Sequence, residues 1–538
     1  RSIKPYFYKT KDGSWNADTN EYDTQLLQTG DPYLSQSGIS RDTDQTFYFD
    51  ARLDWKRSFG DHNLTAMMMY MMREYRHDVL PNRNQGYSGR ITYDYANRYL
   101  LEFNFGYNGS ERLASGTRFE FFPAASIGWV VSSEKFWEPL SQYVNHLKVR
   151  ASYGLVGSDD FNGKAPHFLY QNQIGIGKAY DFWTGLPTNE QKRNGANFEI
   201  LSIQDAGWEH VKKFDIGVDL SLFNQVNITF DYFHDVRDRI LMSRASWPIM
   251  LGYWGSTPWS NIGEVTNSGV ELSLNWSKQF GKDWAVDFRS NFTYNQNEYK
   301  YVDEPAYPYV WQTKTGKPLN TLTGYVAEGL FTSEEEIANW ADQSQLGTNI
   351  MPGDIKYRDI DGNGRITEED KVMLSPYNNI PRIQYGFGLN VTYKKLDFGV
   401  FFNGSAKRKI MIDSGFAPFL VSGGDGMEGE TLARNLMQWI ADDHWSVDNP
   451  NPNATYPRLG TTKSDVSNNT QASSYWVRNG NFLRFKTLEV GYRFPMCRVY
   501  FSGDNLAVFS PFKLWDPELS WNSYPLQRTF NLGVQFTF

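Results

Sequence analysis

Segments of roughly ten residues, apolar at every second position, recur along the whole chain, and their connectors alternate between very short and very long. A period of two belongs to a β-strand with two chemically different faces. The last segment, Leu526 to Phe538, puts Phe530, Leu532, Val534, Phe536 and Phe538 on one face. Gln527, Thr529, Asn531, Gln535 and Thr537 fall on the other. The first segment, Thr46 to Lys56, sets Phe47, Phe49, Ala51, Leu53 and Trp55 against Tyr48, Asp50, Arg52, Asp54 and Lys56. Either alone would suit the edge of a soluble sheet. About 15 of them, each near the length of a tilted membrane strand, do not. Among them, Phe121 to Val131 reads as a strand interrupted by Pro123, and Glu264 to Trp276 and Trp284 to Tyr294 read as a pair.

The connectors sharpen this. Turns such as Phe59-Gly60-Asp61, Ala96-Asn97-Arg98 and Phe223-Asn224-Gln225 alternate with four excursions. These precede Trp208, precede Glu264, run from Glu298 to Arg382, and run from Asn403 to Asn481. Short turns at one end of the strands and long loops at the other are the arrangement of an outer-membrane β-barrel, with the loops extracellular. The expectation is an all-β chain, a transmembrane antiparallel barrel of about 15 strands over residues 1–538, with a loop insertion at 298–381. If the last strand ends in the periplasm, alternating direction backwards makes the first strand descend from outside. An odd count of this kind predicts a larger, even-stranded barrel completed by strands outside these residues.

Composition removes other classes. The mean hydropathy is −0.56, and no run approaches the 18 or more apolar residues of a membrane helix. Hydropathy is nearly blind to barrels, whose strands alternate. The net charge of −8 comes without a basic block, so nucleic acid is not an expected partner. One cysteine, Cys497, excludes an intrachain disulfide and a cysteine-based metal site, and it reads as a small packing residue.

Several longer stretches resemble a known family. GRITYDYANRYLLEFNFGYNGSERLASGTRFEFFPAASIGWVVSSEKFW (Gly89 to Trp137), LKVRASYGLVGSDDF (Leu147 to Phe161) and NIGEVTNSGVELSLN (Asn261 to Asn275) are similar to SusC/RagA-like TonB-linked outer-membrane transporters of Bacteroidota. PGDIKYRDIDGNGRI (Pro352 to Ile366), FLRFKTLEVGYRFP (Phe482 to Pro495) and VYFSGDNLAVFS (Val499 to Ser510) complete the resemblance. It implies a plugged barrel of about 22 strands, with a plug that contacts TonB lying outside these residues. It implies import of an oligosaccharide or peptide with a SusD-like surface lipoprotein as partner, in contact with outer-membrane lipid. The charged positions Asp50, Arg52, Asp54, Glu102, Lys148 and Arg150 would face the lumen. A structural subunit of a larger outer-membrane assembly is the alternative reading, and a secreted glycan-binding or hydrolytic protein is a more distant one.

One local motif carries chemistry of its own. Asp359, Asp361 and Asn363 alternate, Gly364 permits a tight turn, the Arg365 carbonyl comes next, and Asp370 stands at the twelfth place. Oxygen ligands at this spacing suit Ca²⁺, as in an EF-hand loop. Asp370 is shorter than the usual bidentate Glu, so Glu369 is a substitute candidate. A metal-free Asx-Gly turn would use the same residues. The expected ion is structural, stapling the loop. Upstream, Ser333 to Glu336 reads as a capping box opening a short helix through Trp340.

Catalytic signatures are missing. The His residues lack metal-pair spacing, and no nucleophile elbow, phosphate loop or dinucleotide fingerprint occurs. The pairs Asp159-Asp160 and Asp442-Asp443 read as solvated turns, so an enzyme is not expected. Loop tryptophans Trp183, Trp254, Trp259, Trp311, Trp439 and Trp445 are candidates for sugar stacking or for ordinary loop packing.

Overall fold

The computed structural model describes residues 7–16, 21–29, 43–77, 81–161, 168–184, 191–203, 205–248, 250, 258–412, 438–460, 466–519 and 523–537. A 15-stranded antiparallel sheet dominates it. Its strands are β1 (Gln45–Phe59), β2 (His62–Arg76), β3 (Asn82–Tyr95), β4 (Tyr99–Ser110) and β5 (Phe119–Val130). Next come β6 (Val144–Ser158), β7 (Glu209–Leu222), β8 (Val226–Ser243), β9 (Trp259–Phe280) and β10 (Trp284–Tyr301). The last are β11 (Ile383–Tyr393), β12 (Leu396–Ala406), β13 (Phe482–Arg493), β14 (Cys497–Phe509) and β15 (Thr529–Phe536). Every wall strand pairs with its neighbours in chain order, the up-and-down order of a barrel wall. No described helix is long and apolar enough to cross a membrane, which says nothing of strands.

The register keeps one chemistry on each face. Glu102 opposes Ser126, Ser126 opposes Ser152, and Ser152 opposes Asp215, a polar row across four strands. One position along, Phe103 opposes Ala125 and Ala125 opposes Tyr153. The apolar face is bare: Leu101, Phe103, Ile127 and Phe230 are all exposed, and Leu532 is 79% so. Apolar area left this open is unfavourable in water and favourable against lipid tails, while the ladder satisfies the backbone within the sheet.

Turn chemistry explains the short end. Ala96 and Asn97 both have φ 54°, and Phe223 and Asn224 have φ 54° and 56°, left-handed pairs that match the twist of two-residue hairpins. Neighbouring turns are tied together, Ala96 N–H donating to Asp61 O at 2.7 Å and Lys394 N–H to Asp283 O at 2.8 Å.

Three local expectations are corrected. Pro123 does not interrupt its strand. It pairs with Phe105 in register, and the ladder to β6 begins only at Ala124, so the missing N–H removes no bond. The strands also exceed ten residues where the loops begin, β9 reaching 22 and β10 running to Tyr301 rather than ending near Tyr294. The helix after Ser333 covers Glu334–Ala338 rather than reaching Trp340. Ser333 Oγ accepts from Glu336 N–H, but the Glu336 carboxylate turns back to Thr332 N–H and Oγ at 2.8 Å.

Residues 1–50 and 71–84 form a smaller compact unit. Within it Phe7–Asn16 pairs with Glu21–Gln28, and Glu74 accepts from Arg83 and Arg76 at 2.8 and 3.0 Å. In the larger unit the long excursions fold upon one another. Tyr325, Ile355, Tyr357 and Ile366 of one share a buried cluster with Ile412, Ile440, Trp445, Tyr456 and Trp476 of the next and with Phe512 beyond β14. A second cluster gathers Leu113, Phe122, Phe161, Leu169, Trp208 and Leu241. The described parts of these loops are therefore folded into a cap.

Candidate metal centre in the loop cap

The motif loop hangs between two short strands. Ile355–Tyr357 pairs with Ala327–Leu330, and Val372–Ser375 pairs with Leu322–Gly324. Ile366, fully buried, anchors the middle of the loop in the cap core. Gly362 and Gly364 take φ 74° and 80°, a region costly for other residues, and let the chain wrap inward.

That wrapping collects carboxylates. Asp359, Asp361 and Asp370 each present an oxygen within 4.8 Å of the others, a group of three acids formed among the described residues. Oxygens bound to one Ca²⁺ at 2.3–2.6 Å lie within about 5 Å of each other, so the spacing and the hard donors fit that ion. Asn363 sits on the same loop, its Oδ1 accepting from Arg365 N–H at 2.8 Å. Arg365 contributes only a backbone carbonyl to such a set. The structure puts Asp370 in the cluster rather than Glu369.

The loop also binds itself. Asp359 accepts from Gly362 and Gly364 N–H, both at 2.7 Å. Buried Asp370 accepts from Ile360 and Thr367 N–H, again at 2.7 Å. Each carboxylate oxygen retains a second lone pair, so these bonds orient the group without exhausting it. Burial draws the Asp361 carboxyl upward, but the Asn363 amide and the Tyr309 hydroxyl outweigh it and hold the group below the usual carboxylate range. Tyr309 lies 3.0 Å from Asp361 Oδ2 and stacks on Trp311, whose indole N–H donates to Glu369 O at 2.8 Å.

The loop tryptophans divide accordingly. Trp445 is buried in the cap core, Trp259 packs against the second cluster, and Trp311 is committed to Tyr309 and Glu369. The side chains of Trp183, Trp254 and Trp439, like Phe538, lie outside the described residues. Of the expected lumen charges, Glu102, Lys148 and Arg150 share the polar face by register. Arg52 meets Asp54 at 2.6 Å, Arg90 meets Glu102 at 2.7 Å, and Arg150 pairs with both Asp215 and Asp231.

Two groups escape sequence reasoning. Asp354, 1% exposed at its side chain, pairs with Arg458 at 2.7 Å and accepts from Asn469 Nδ2 at the same distance. Gln343 and Asn468 extend that network by bonding each other and Ile355 O. Arg484, fully buried, is held by Asp516 and Glu518 from the loop after β14. Partners so distant along the chain leave no spacing to read.

A family model described as TonB dependent receptor-like, beta-barrel, matches residues 3–506. The chain belongs to this family. It is a barrel of the outer membrane. TonB-dependent receptor P3 of Formosa agariphila is 26% identical over 492 residues, covering 84% of this chain and 45% of that protein. TonB-dependent receptor SusC of Bacteroides thetaiotaomicron is 24% identical over 580 residues, covering 100% and 52%. The chain thus spans about half the length of the curated relatives it matches. A solved structure of the RagAB peptide transporter superposes with a TM-score of 0.70 at 19% identity, over 92% of this chain and 55% of that one, a likeness of fold. These relatives carry receptor and transporter names, in keeping with the non-enzymatic reading.

Proposed function

We propose that this chain forms the wall and extracellular cap of a TonB-dependent importer for oligosaccharides or peptides, working with a SusD-like surface lipoprotein. The observation that carries this is the continuous polar face of the wall leading to a folded cap at the loop-bearing end. A merely structural barrel has no need of a hydrated inner surface carrying ion pairs such as Arg150 with Asp215 and Asp231. RagAB, the peptide transporter whose fold this chain resembles, supports the peptide half of the cargo class. The SusD-like partner is what the resemblance to SusC/RagA-like transporters implies.

The cap loop holds Ca²⁺ through Asp359, Asp361, Asn363, the Arg365 carbonyl and Asp370. The ion's chemistry there is structural: it screens three converging carboxylates. Extracellular modules of this kind bind at about 10⁻⁴–10⁻³ M, matched to an ion-rich exterior. Calorimetric titration of chelated protein should show one site, lost in Asp359→Ala and Asp361→Ala. No uptake by the wild-type protein would leave an Asx-Gly turn.

The import reading is tested by purification from outer membranes in mild detergent and mass spectrometry of what accompanies the barrel. A SusD-like lipoprotein with bound oligosaccharide or peptide is expected. A set of envelope proteins with no cargo would move the reading to a structural subunit.

A further inference from the structure

One connector at the turn end breaks the rule of that end. The other wall strands are joined there by tight turns, but β5 and β6 are joined by Val131–Tyr143, which folds into two 3₁₀ helices, Val131–Ser133 and Lys135–Leu140. Its placement is over-determined. Glu134 accepts from Tyr99 Oη at 2.6 Å and from the Trp129 indole at 3.1 Å. Trp137 donates its indole N–H to Val144 O at 3.1 Å, and Phe223 N–H donates to Tyr143 O at 2.9 Å.

Beside exposed polar residues such as Lys135 and Ser141, this scaffold presents three large apolar side chains. Phe136 is 63% exposed, Leu140 47% and Tyr143 53%. Val131, by contrast, is buried. Burying Val131 while leaving Phe136 open is the wrong choice for a segment bathed in water. The exposed set is also continuous with the bare face of the wall. Phe136 contacts Trp129 edge to face at 6.5 Å, and Trp129 opposes Tyr99 and Val149 on the apolar side of the sheet. Tyr143 meets Phe223 in the same geometry at 6.1 Å. Aromatic rings collect at the level of lipid headgroups, where one end is dry and the other wet.

We infer that Val131–Tyr143 is an interfacial foot, which inserts Phe136, Leu140 and Tyr143 among the phospholipids of the periplasmic leaflet. Lipid is the occupant because the exposed set continues a surface that already faces lipid. The foot defines the lower edge of the apolar belt on this side of the wall and resists vertical slippage there. The neighbouring polar residues Glu138 and Gln142 stay on the aqueous side. This inference rests on the outer-membrane wall and not on cargo, TonB or calcium.

Nitroxide labels at Phe136→Cys, Leu140→Cys and, as control, Gln142→Cys test it in a Cys497→Ser background. The receptor as made in the outer membrane is reconstituted into phosphatidylethanolamine–phosphatidylglycerol bilayers. Power saturation then compares oxygen, which partitions into lipid, with a nickel chelate, which stays in water. At positions 136 and 140 oxygen should relax the label several-fold better than nickel, with the order reversed at 142. Equal nickel access at all three sites would overturn the inference. So would protection from both reagents in native outer-membrane vesicles, which would mean that a periplasmic protein covers the segment. Should either labelled barrel lose its heat-modifiable band, Tyr143→Cys supplies the same reading.

Discussion

The wall and the cap of this molecule are stabilised in opposite ways. In the wall, ladders between sequential strands satisfy the backbone, and the large apolar side chains point away from the protein. In the cap, short strands and turns contribute little regular structure, and order comes from a dry cluster and a buried polar network joining residues far apart in the chain. One region takes its apolar stabilisation from lipid, the other from itself. The two should therefore fail under different insults, and that separation can be measured.

The largest effect is expected at Asp354. Removing one partner of a buried ion pair costs about 3–5 kcal/mol because the remaining charge is stranded. Asp354→Ala should loosen the cap and open its loops to protease while the wall still migrates as a folded, heat-modifiable band. Loss of that band together with the cap would show that the regions are one cooperative unit, and the comparison would break.

A charge on the lipid face comes next. Phe103→Arg should cost about 2–4 kcal/mol in refolding into bilayers, the price of an Arg near the midplane of a barrel strand. Ser126→Arg, on the polar face in the row with Glu102, should be nearly silent. In a water-soluble sheet the order would reverse or vanish, since Phe103 is already exposed and Ser126 is half-buried. Equal costs would remove the assignment of faces.

How much of this was legible from the sequence follows the same division. The wall could be read because a strand's two faces are written in adjacent letters, as Phe530, Leu532 and Val534 against Thr529 and Asn531. Its turns could be read for the same reason. The clustering of Asp359, Asp361 and Asp370 was also visible, the three being close in sequence and separated by glycines with a local geometric purpose. Asp354 with Arg458, and Arg484 with Asp516, were not, because their partners are brought together by the whole cap. Pro123 was misread for a related reason: its cost depends on where a neighbouring ladder starts, which only the register reveals.

Calcium removal should sharpen the contrast at an intermediate scale. An ion present at about a hundred times its dissociation constant stabilises what it binds by about 2.7 kcal/mol. Chelation should lower the melting transition of the cap, followed by tryptophan fluorescence, and leave the wall's transition in place. The Asp359→Ala protein should start at the chelated value and ignore the chelator. A fall in both transitions would mean that the chelator acts elsewhere.

The smallest effect isolates one ion pair at the edge of the cap. Burial draws the Glu336 carboxyl up, but Lys356 at 2.5 Å and the Thr332 amide outweigh it and hold the group below its ordinary 4.5. A carboxyl depressed in the folded state binds fewer protons there than when unfolded. Its contribution is therefore complete above the ordinary value and drains away as the pH falls through the folded one. Other cap acids titrate in the same window, so the useful quantity is the difference between wild type and Glu336→Gln. That difference in cap melting should be under about 1 kcal/mol near neutrality, as for a partly exposed pair, and should shrink toward zero on acidification. Lys356 also lies over the Trp340 ring at 5.3 Å, a contact that survives protonation of Glu336. A difference that stays constant with pH would assign the effect to lost packing around Trp340 rather than to charge.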